Sequence, residues 1–219
     1  MPVKILIVDD HPLQIDGYKT VLSFHDVEGG IETTSANSCE EAYNIIVNSE
    51  ESSFDLAFLD YSLPGFPEKK INNGGDLALL MKKHLPKSKV LILTSHAEAF
   101  VLYNIIKKTQ PEGLLVKSDF NGDELLDAVS LILNDAKYHS QTVKNCLKKL
   151  SSREDFLDTI DKQIVMLLAQ GYKIDTLVGE LKLSKSTIEK RKVKIKEYLD
   201  IDKGNDEDIL RECRKLGFI

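Results

Sequence analysis

Two hydrophobic periodicities divide the chain. Up to about residue 135, short apolar runs alternate with amphipathic stretches. The runs are KILIVD (4–9), IETTSA (31–36), FDLAFLD (54–60), KVLILT (89–94) and GLLVK (113–117). Their aliphatic and β-branched content predicts strands. Three are nearly all apolar, as strands covered on both faces should be. Between them, apolar residues recur at helical spacing: Ile15, Tyr18 and Leu22, then Leu125, Val129 and Ile132. Strand and helix alternate five times, which predicts an α/β fold with a five-stranded parallel sheet between helices.

After about residue 150 the strand signal stops. DKQIVMLLAQG reads as a helix with a glycine stop at Gly171, and IDTLVGELKL as a shorter helix. Gly179 is an unfavourable choice inside that second helix. Ser184 is placed to cap the next, which has one apolar face of Ile188, Ile195 and Leu199. NDEDILRECRKLGFI makes a last short helix. Four helices with a tight turn before the third predict a helix-turn-helix domain. KYHSQTVKNCLKKL (137–150) is polar and basic without a clear strand, and reads as a partly helical connection. The expected division is 1–136, a linker at 137–150, and 151–219.

The length of 219 residues suits two domains. No apolar run approaches the roughly 20 residues of a membrane span. The opening MPVKILIVDD lacks a signal-peptide layout, so the cytoplasm is the expected location. Cys39, Cys146 and Cys213 are odd in number and far apart, which fits neither a disulfide framework nor a zinc site. Charge separates the halves. Residues 1–150 hold 15 Lys/Arg against 21 Asp/Glu, and residues 151–219 hold 14 of each. Within the neutral half, residues 184–199 carry six basic groups against two acidic ones. A basic helix on a neutral domain predicts focused binding of a polyanion.

Four predicted strands end in chemically useful groups: Asp9-Asp10, Asp60, Thr94-Ser95 and Lys117. In an open parallel sheet, ligands bind outside the carboxyl ends of the strands. The four groups are therefore expected to converge on one pocket. A haloacid-dehalogenase-type phosphatase would need a second carboxylate two residues after Asp60, and Ser62 stands there. A dinucleotide site is disfavoured because DDHPLQ follows the first strand where a glycine-rich loop belongs.

The ordered pieces VDDH, LDYSLPG, LTS and LVKS resemble the receiver domain of two-component response regulators over residues 1 to about 135. The resemblance implies a flavodoxin-like fold with strand order 2-1-3-4-5. It implies that Asp60 accepts a phosphoryl group from a sensor histidine kinase. Asp9, Asp10, Asp60 and the backbone carbonyl of Ser62 would hold Mg²⁺, Thr94 would bond the phosphoryl group, and Lys117 would pair with it. Such a domain is no general enzyme and catalyses only its own phosphorylation and dephosphorylation. Crowded carboxylates repel unless a cation neutralises them, and Mg²⁺ prefers hard oxygen ligands. Two departures stand out. Leu114 replaces the aromatic that many receivers carry three residues before the lysine. The loop after Asp60, GFPEKKINNGG, is about seven residues longer, and its Pro, Asn and Gly content predicts mobility.

Residues 151–219 resemble the LuxR-type helix-turn-helix of the NarL–FixJ class, through LSSRE, LLAQGY, LKLSKSTIEKRKVKIKEYLDI and LGFI. The resemblance implies double-stranded DNA as partner and a homodimer in the active state. Glu189, Lys190 and Lys192 fall at base-reading positions, beside Thr187. Lys185, Arg191, Lys194 and Lys196 are expected on phosphates. Ile209, Leu210, Leu216 and Phe218 of the last helix are expected at a dimer contact or in their own domain's core. A second regulator type, with the receiver serving as a phosphorylation-independent dimerisation scaffold, stays open because of Leu114.

Overall fold

The structure, a computed structural model, describes residues 1–151, 157–199, 201 and 203–215. It forms two compact units, Met1–Lys148 and Lys149–Ile219.

The first unit is a parallel sheet of β1 (Val3–Val8), β2 (Ile31–Ala36), β3 (Leu56–Asp60), β4 (Lys89–Thr94), β5 (Gly113–Val116) and β6 (Tyr138–His139), ordered 2-1-3-4-5-6. Helices α1 (Pro12–Leu22), α2 (Cys39–Asn48), α3 (Gly74–His84), α4 (Ala99–Thr109) and α5 (Gly122–Leu133) follow the first five strands, and α6 (Gln141–Ser151) follows β6. The apolar runs became central strands because both faces are covered: every residue of β3 is buried. Ile5, Ile7, Phe58, Leu91, Leu93 and Leu115 pack on Ile15, Tyr18 and Leu22 of α1 and Leu125, Val129 and Ile132 of α5. Each such side chain contributes about 1.5–3 kcal/mol by leaving water. Strand order reverses at β1, which lies between β2 and β3 and opens a crevice at the carboxyl ends.

Two expectations change. The sheet has six strands, not five, because part of segment 137–150 joins it. Tyr138 N–H donates to the Glu112 carbonyl (3.0 Å) and Ser140 N–H to that of Leu114 (3.1 Å). The Ser140 hydroxyl accepts from Val116 N–H at 3.2 Å, and Asp119 Oδ2 accepts from Thr142 N–H at 2.6 Å. A two-residue strand is too short to show alternation, so nothing in the pattern announces it.

The long loop after Asp60 is folded. Phe66 and Ile71 exchange backbone hydrogen bonds of 2.7 and 3.2 Å around a 3-10 turn at Pro67–Lys69. Leu63 and Ile71 are buried, and Phe66 meets Tyr43 of α2 edge-on at 5.9 Å. The turn residues permit the reversal, while these three apolar side chains hold it.

The second unit contains α7 (Thr159–Ala169), α8 (Ile174–Leu181), α9 (Lys185–Tyr198) and α10 (Asp206–Lys215). Asp158 caps α7 reciprocally with Asp161, and Ser184 caps α9 through Thr187 N–H. Lys182 takes the left-handed conformation, with φ 53°, that turns α8 into α9. Ile188, Ile195 and Leu199 enter the core, as their spacing predicts, with Ile164, Leu168 and Leu177. Ile209 is fully buried in this same core, and the partly buried Leu210 packs against it. Leu216, Phe218, most of LSSRE and the closing LGFI lie outside the described residues.

Candidate functional site

The carboxyl ends of four neighbouring strands meet. Asp9 follows β1, Asp60 ends β3, Thr94 ends β4 and Lys117 follows β5. Lys117 Nζ lies 2.8 Å from Asp9 Oδ2 and 2.9 Å from Asp60 Oδ1. Asp9, Asp60 and Thr94 are buried at 1%, 2% and 0% exposure, so their side chains face each other rather than bulk water. Thr94 joins the ends of β4 and β5: its carbonyl accepts from Lys117 N–H at 2.7 Å, and its hydroxyl accepts from His96 N–H at 3.1 Å. Ser62 is exposed two residues past Asp60, and its N–H supports the Asp60 carboxylate.

Asp10 is less enclosed, but its Oδ1 is buried, with the His11 ring as its polar neighbour. His11 N–H donates to Asp9 Oδ1 at 2.9 Å, and His11 Nδ1 sits 3.1 Å from an oxygen of each of Asp9 and Asp10. Asp9, Asp10 and His11 thus offer ligand atoms within 4.8 Å of one another. His11 escaped the sequence reading. It lies 62% exposed at the start of α1, outside every apolar pattern, and its place after the acidic pair was the sole signal.

Three carboxylates face one ammonium. Burial pushes the Asp60 carboxyl above the usual range; Lys117 opposes this, Asp9 adds to it, and burial prevails. The Tyr18 phenol beneath the site is also pushed up, by burial first and then by Asp9 and Asp60. Gly74 brings α3 against this floor. A Cβ there would lie 1.9 Å from the Asp60 carbonyl oxygen, so no other residue fits unmoved.

The basic helix α9 sorts its charges by direction. Lys192 is only 8% exposed, and its ammonium lies 2.7 Å from Asp206 of α10. Arg191 Nη1 holds Asp158 and the fully buried Asp161, both at 2.7 Å, and Lys194 Nζ holds Asp161 at 2.9 Å. These three cations, expected at base-reading or phosphate positions, lie in the free chain against carboxylates of neighbouring helices. The apolar positions were legible, but the acid partners lie 14 to 33 residues away. Glu189 and Lys190 are exposed, Thr187 and Lys196 half-buried, and Lys185 makes only an exposed 3.4 Å pair with Asp175.

Residues 5–130, more than half of the chain, match the response regulator receiver domain. The chain belongs to the response regulator receiver family. It is 24% identical to the transcriptional regulatory protein RcsB of Escherichia coli K12, covering 87% of this chain and 85% of that one. It is 24% identical to the oxygen regulatory protein NreC of Staphylococcus carnosus over 91% and 92%. The RcsB response regulator of Salmonella typhimurium has a similar fold, with a TM-score of 0.73 at 20% identity, covering 97% and 99%. The structure of an RcsB–DNA complex gives a TM-score of 0.70 at 20% identity, covering 98% of each chain. RcsB is a transcriptional regulatory protein, and the likeness to it spans both units.

In this receiver, Leu114 is fully buried in β5, in register between Ile92 of β4 and His139 of β6. No helix among the described residues is long and apolar enough to cross a membrane.

Proposed function

We propose that this chain is a phosphorylation-controlled transcription regulator whose phosphoacceptor is Asp60. The observation that carries the reading is the single ammonium of Lys117 set between Asp9 and Asp60 at the strand ends. An Asp60 carboxylate oxygen attacks the phosphorus of a kinase phosphohistidine. The O–P bond forms as the P–N bond breaks, and the imidazole leaves. Lys117 then exchanges a carboxylate oxygen for a phosphoryl oxygen, and the Thr94 hydroxyl turns from His96 N–H to another. Because Thr94 and Lys117 share a backbone hydrogen bond, both strand ends respond together.

Asp9 and Asp10, whose ligand atoms lie together, would with Asp60 and the Ser62 carbonyl supply a hard-oxygen donor set that suits Mg²⁺. When bound, the ion neutralises the carboxylates and the incoming phosphoryl oxygens. The residues' own part is to hold the acceptor oxygen in a buried site beside a fixed cation.

The second unit is proposed to bind double-stranded DNA as a homodimer, with α9 in the major groove. Its exposed Lys185 and Lys190 and the role of RcsB as a transcriptional regulatory protein support this reading. The phosphoacceptor claim is tested by incubating the protein with acetyl phosphate and Mg²⁺, then weighing it intact. One added phosphoryl group, absent in Asp60→Ala, is expected. An increment that survives the substitution rejects the site.

A further inference from the structure

We propose that Val193 is a specificity residue that packs on a thymine 5-methyl group in the major groove. The proposal rests on the DNA-binding reading above and extends it to the base recognised. Helix α9 buries Ile188, Lys192 and Ile195 on its inward stripe, and Leu199 caps that stripe. Val193 lies on the opposite side, with Ser186, Glu189, Lys190 and Glu197 at helical spacing. It is 53% exposed and the sole large apolar side chain among the outward residues described on α9.

Among the described residues of the unit, Val193 is neither in the core nor among the side chains packed against it. A β-branched residue disfavours the helix, and a half-exposed one gains little from burial. Lys192, the neighbouring position expected to read bases, has turned inward to Asp206. Lys190 lies one turn before Val193 and supplies an outward positive charge. Among base edges in the major groove, thymine offers the one apolar group, its C5-methyl. Val193 stands eight residues after Lys185, about 12 Å along the helix, a distance comparable to the groove width.

The test starts by selecting duplexes from a randomised library with the full chain, acetyl phosphate and Mg²⁺. The selected site is then remade with deoxyuridine in place of each thymine in turn, which removes only the methyl group. At one thymine per half-site, affinity is expected to fall about four-fold, the effect of one buried CH₂-sized group. Val193→Ala should lose that sensitivity while keeping the wild-type melting temperature and salt dependence. Sensitivity to deoxyuridine that persists in Val193→Ala overturns the proposal, as does a site indifferent to every replacement. In both cases the DNA-binding reading stands. If no duplex is enriched at all, that reading falls and takes this proposal with it.

Discussion

Lys190 and Lys192 are two residues apart, and a sequence pattern treats them as equivalent cations. The fold assigns them opposite duties, and replacing each with methionine separates them. Lys192→Met keeps the buried stem and removes an ammonium whose partner, Asp206, retains 40% exposure and hence much of its hydration. Removing one partner of a buried pair destabilises by leaving the other charge unpaired, but Asp206 keeps much of its water, so the melting temperature should fall modestly while the salt dependence of DNA binding changes little. Lys190→Met removes an outward charge. Each ammonium that displaces condensed counterions contributes about 0.9 to the slope of log affinity against log salt. For a dimer, the slope should therefore become shallower by about 2, and affinity at 0.15 M salt should fall by roughly 30-fold. Fluorescence anisotropy across a salt series on a selected duplex measures both. If Lys192→Met flattens the slope as much as Lys190→Met, the inward placement of Lys192 is wrong.

Other predictions concern the receiver. Gly74→Ala should cost about 1–3 kcal/mol, because its Cβ must push α3 away from the Asp60 carbonyl; chemical denaturation measures this, and phosphorylation should slow in parallel. Asp60→Asn should raise the melting temperature at pH 7. The raised carboxyl means the folded state binds a proton more readily than the unfolded one, so stability falls as pH rises from the unfolded toward the folded value. That fall should vanish in Asp60→Asn, and its persistence would place the titration elsewhere. Asp119→Ala should cost about 1 kcal/mol by removing the acceptor for Thr142 N–H at the start of α6. In the wild type, burial raises the Asp119 carboxyl, but the Thr142 N–H and the Ser140 and Thr142 hydroxyls outweigh it and leave the value lowered. This contribution is present above the unfolded value and is lost as pH falls through the folded one. Equal acid sensitivity in Asp119→Ala would contradict it.

Legibility followed the range of the interactions. The first five strands, the buried faces of α1, α5 and α9, and the convergence of Asp9, Asp60, Thr94 and Lys117 were readable, because periodicity and the residues that end each strand are local signals. What escaped depends on partners distant in sequence. Tyr138–His139 became a strand because the edge of β5 was there to receive it. The loop after Asp60 has the composition of a mobile segment, yet Phe66 finds Tyr43 on α2. Arg191, Lys192 and Lys194 looked like one solvated basic face until Asp158, Asp161 and Asp206 came within reach of them. A lysine's direction follows from its helix angle, but its availability follows from the carboxylates around it.

The central claim is that a phosphoryl group on Asp60 changes DNA binding. It is tested most directly by measuring affinity for a selected duplex with and without acetyl phosphate and Mg²⁺, with phosphoryl occupancy read by intact mass. The account predicts at least a ten-fold change in the wild type, corresponding to about 1.4 kcal/mol of coupling, and none in Asp60→Asn. Equal affinities for the phosphorylated and unphosphorylated wild type would contradict it. That result would make the receiver, with Leu114 buried in β5, a scaffold rather than a switch.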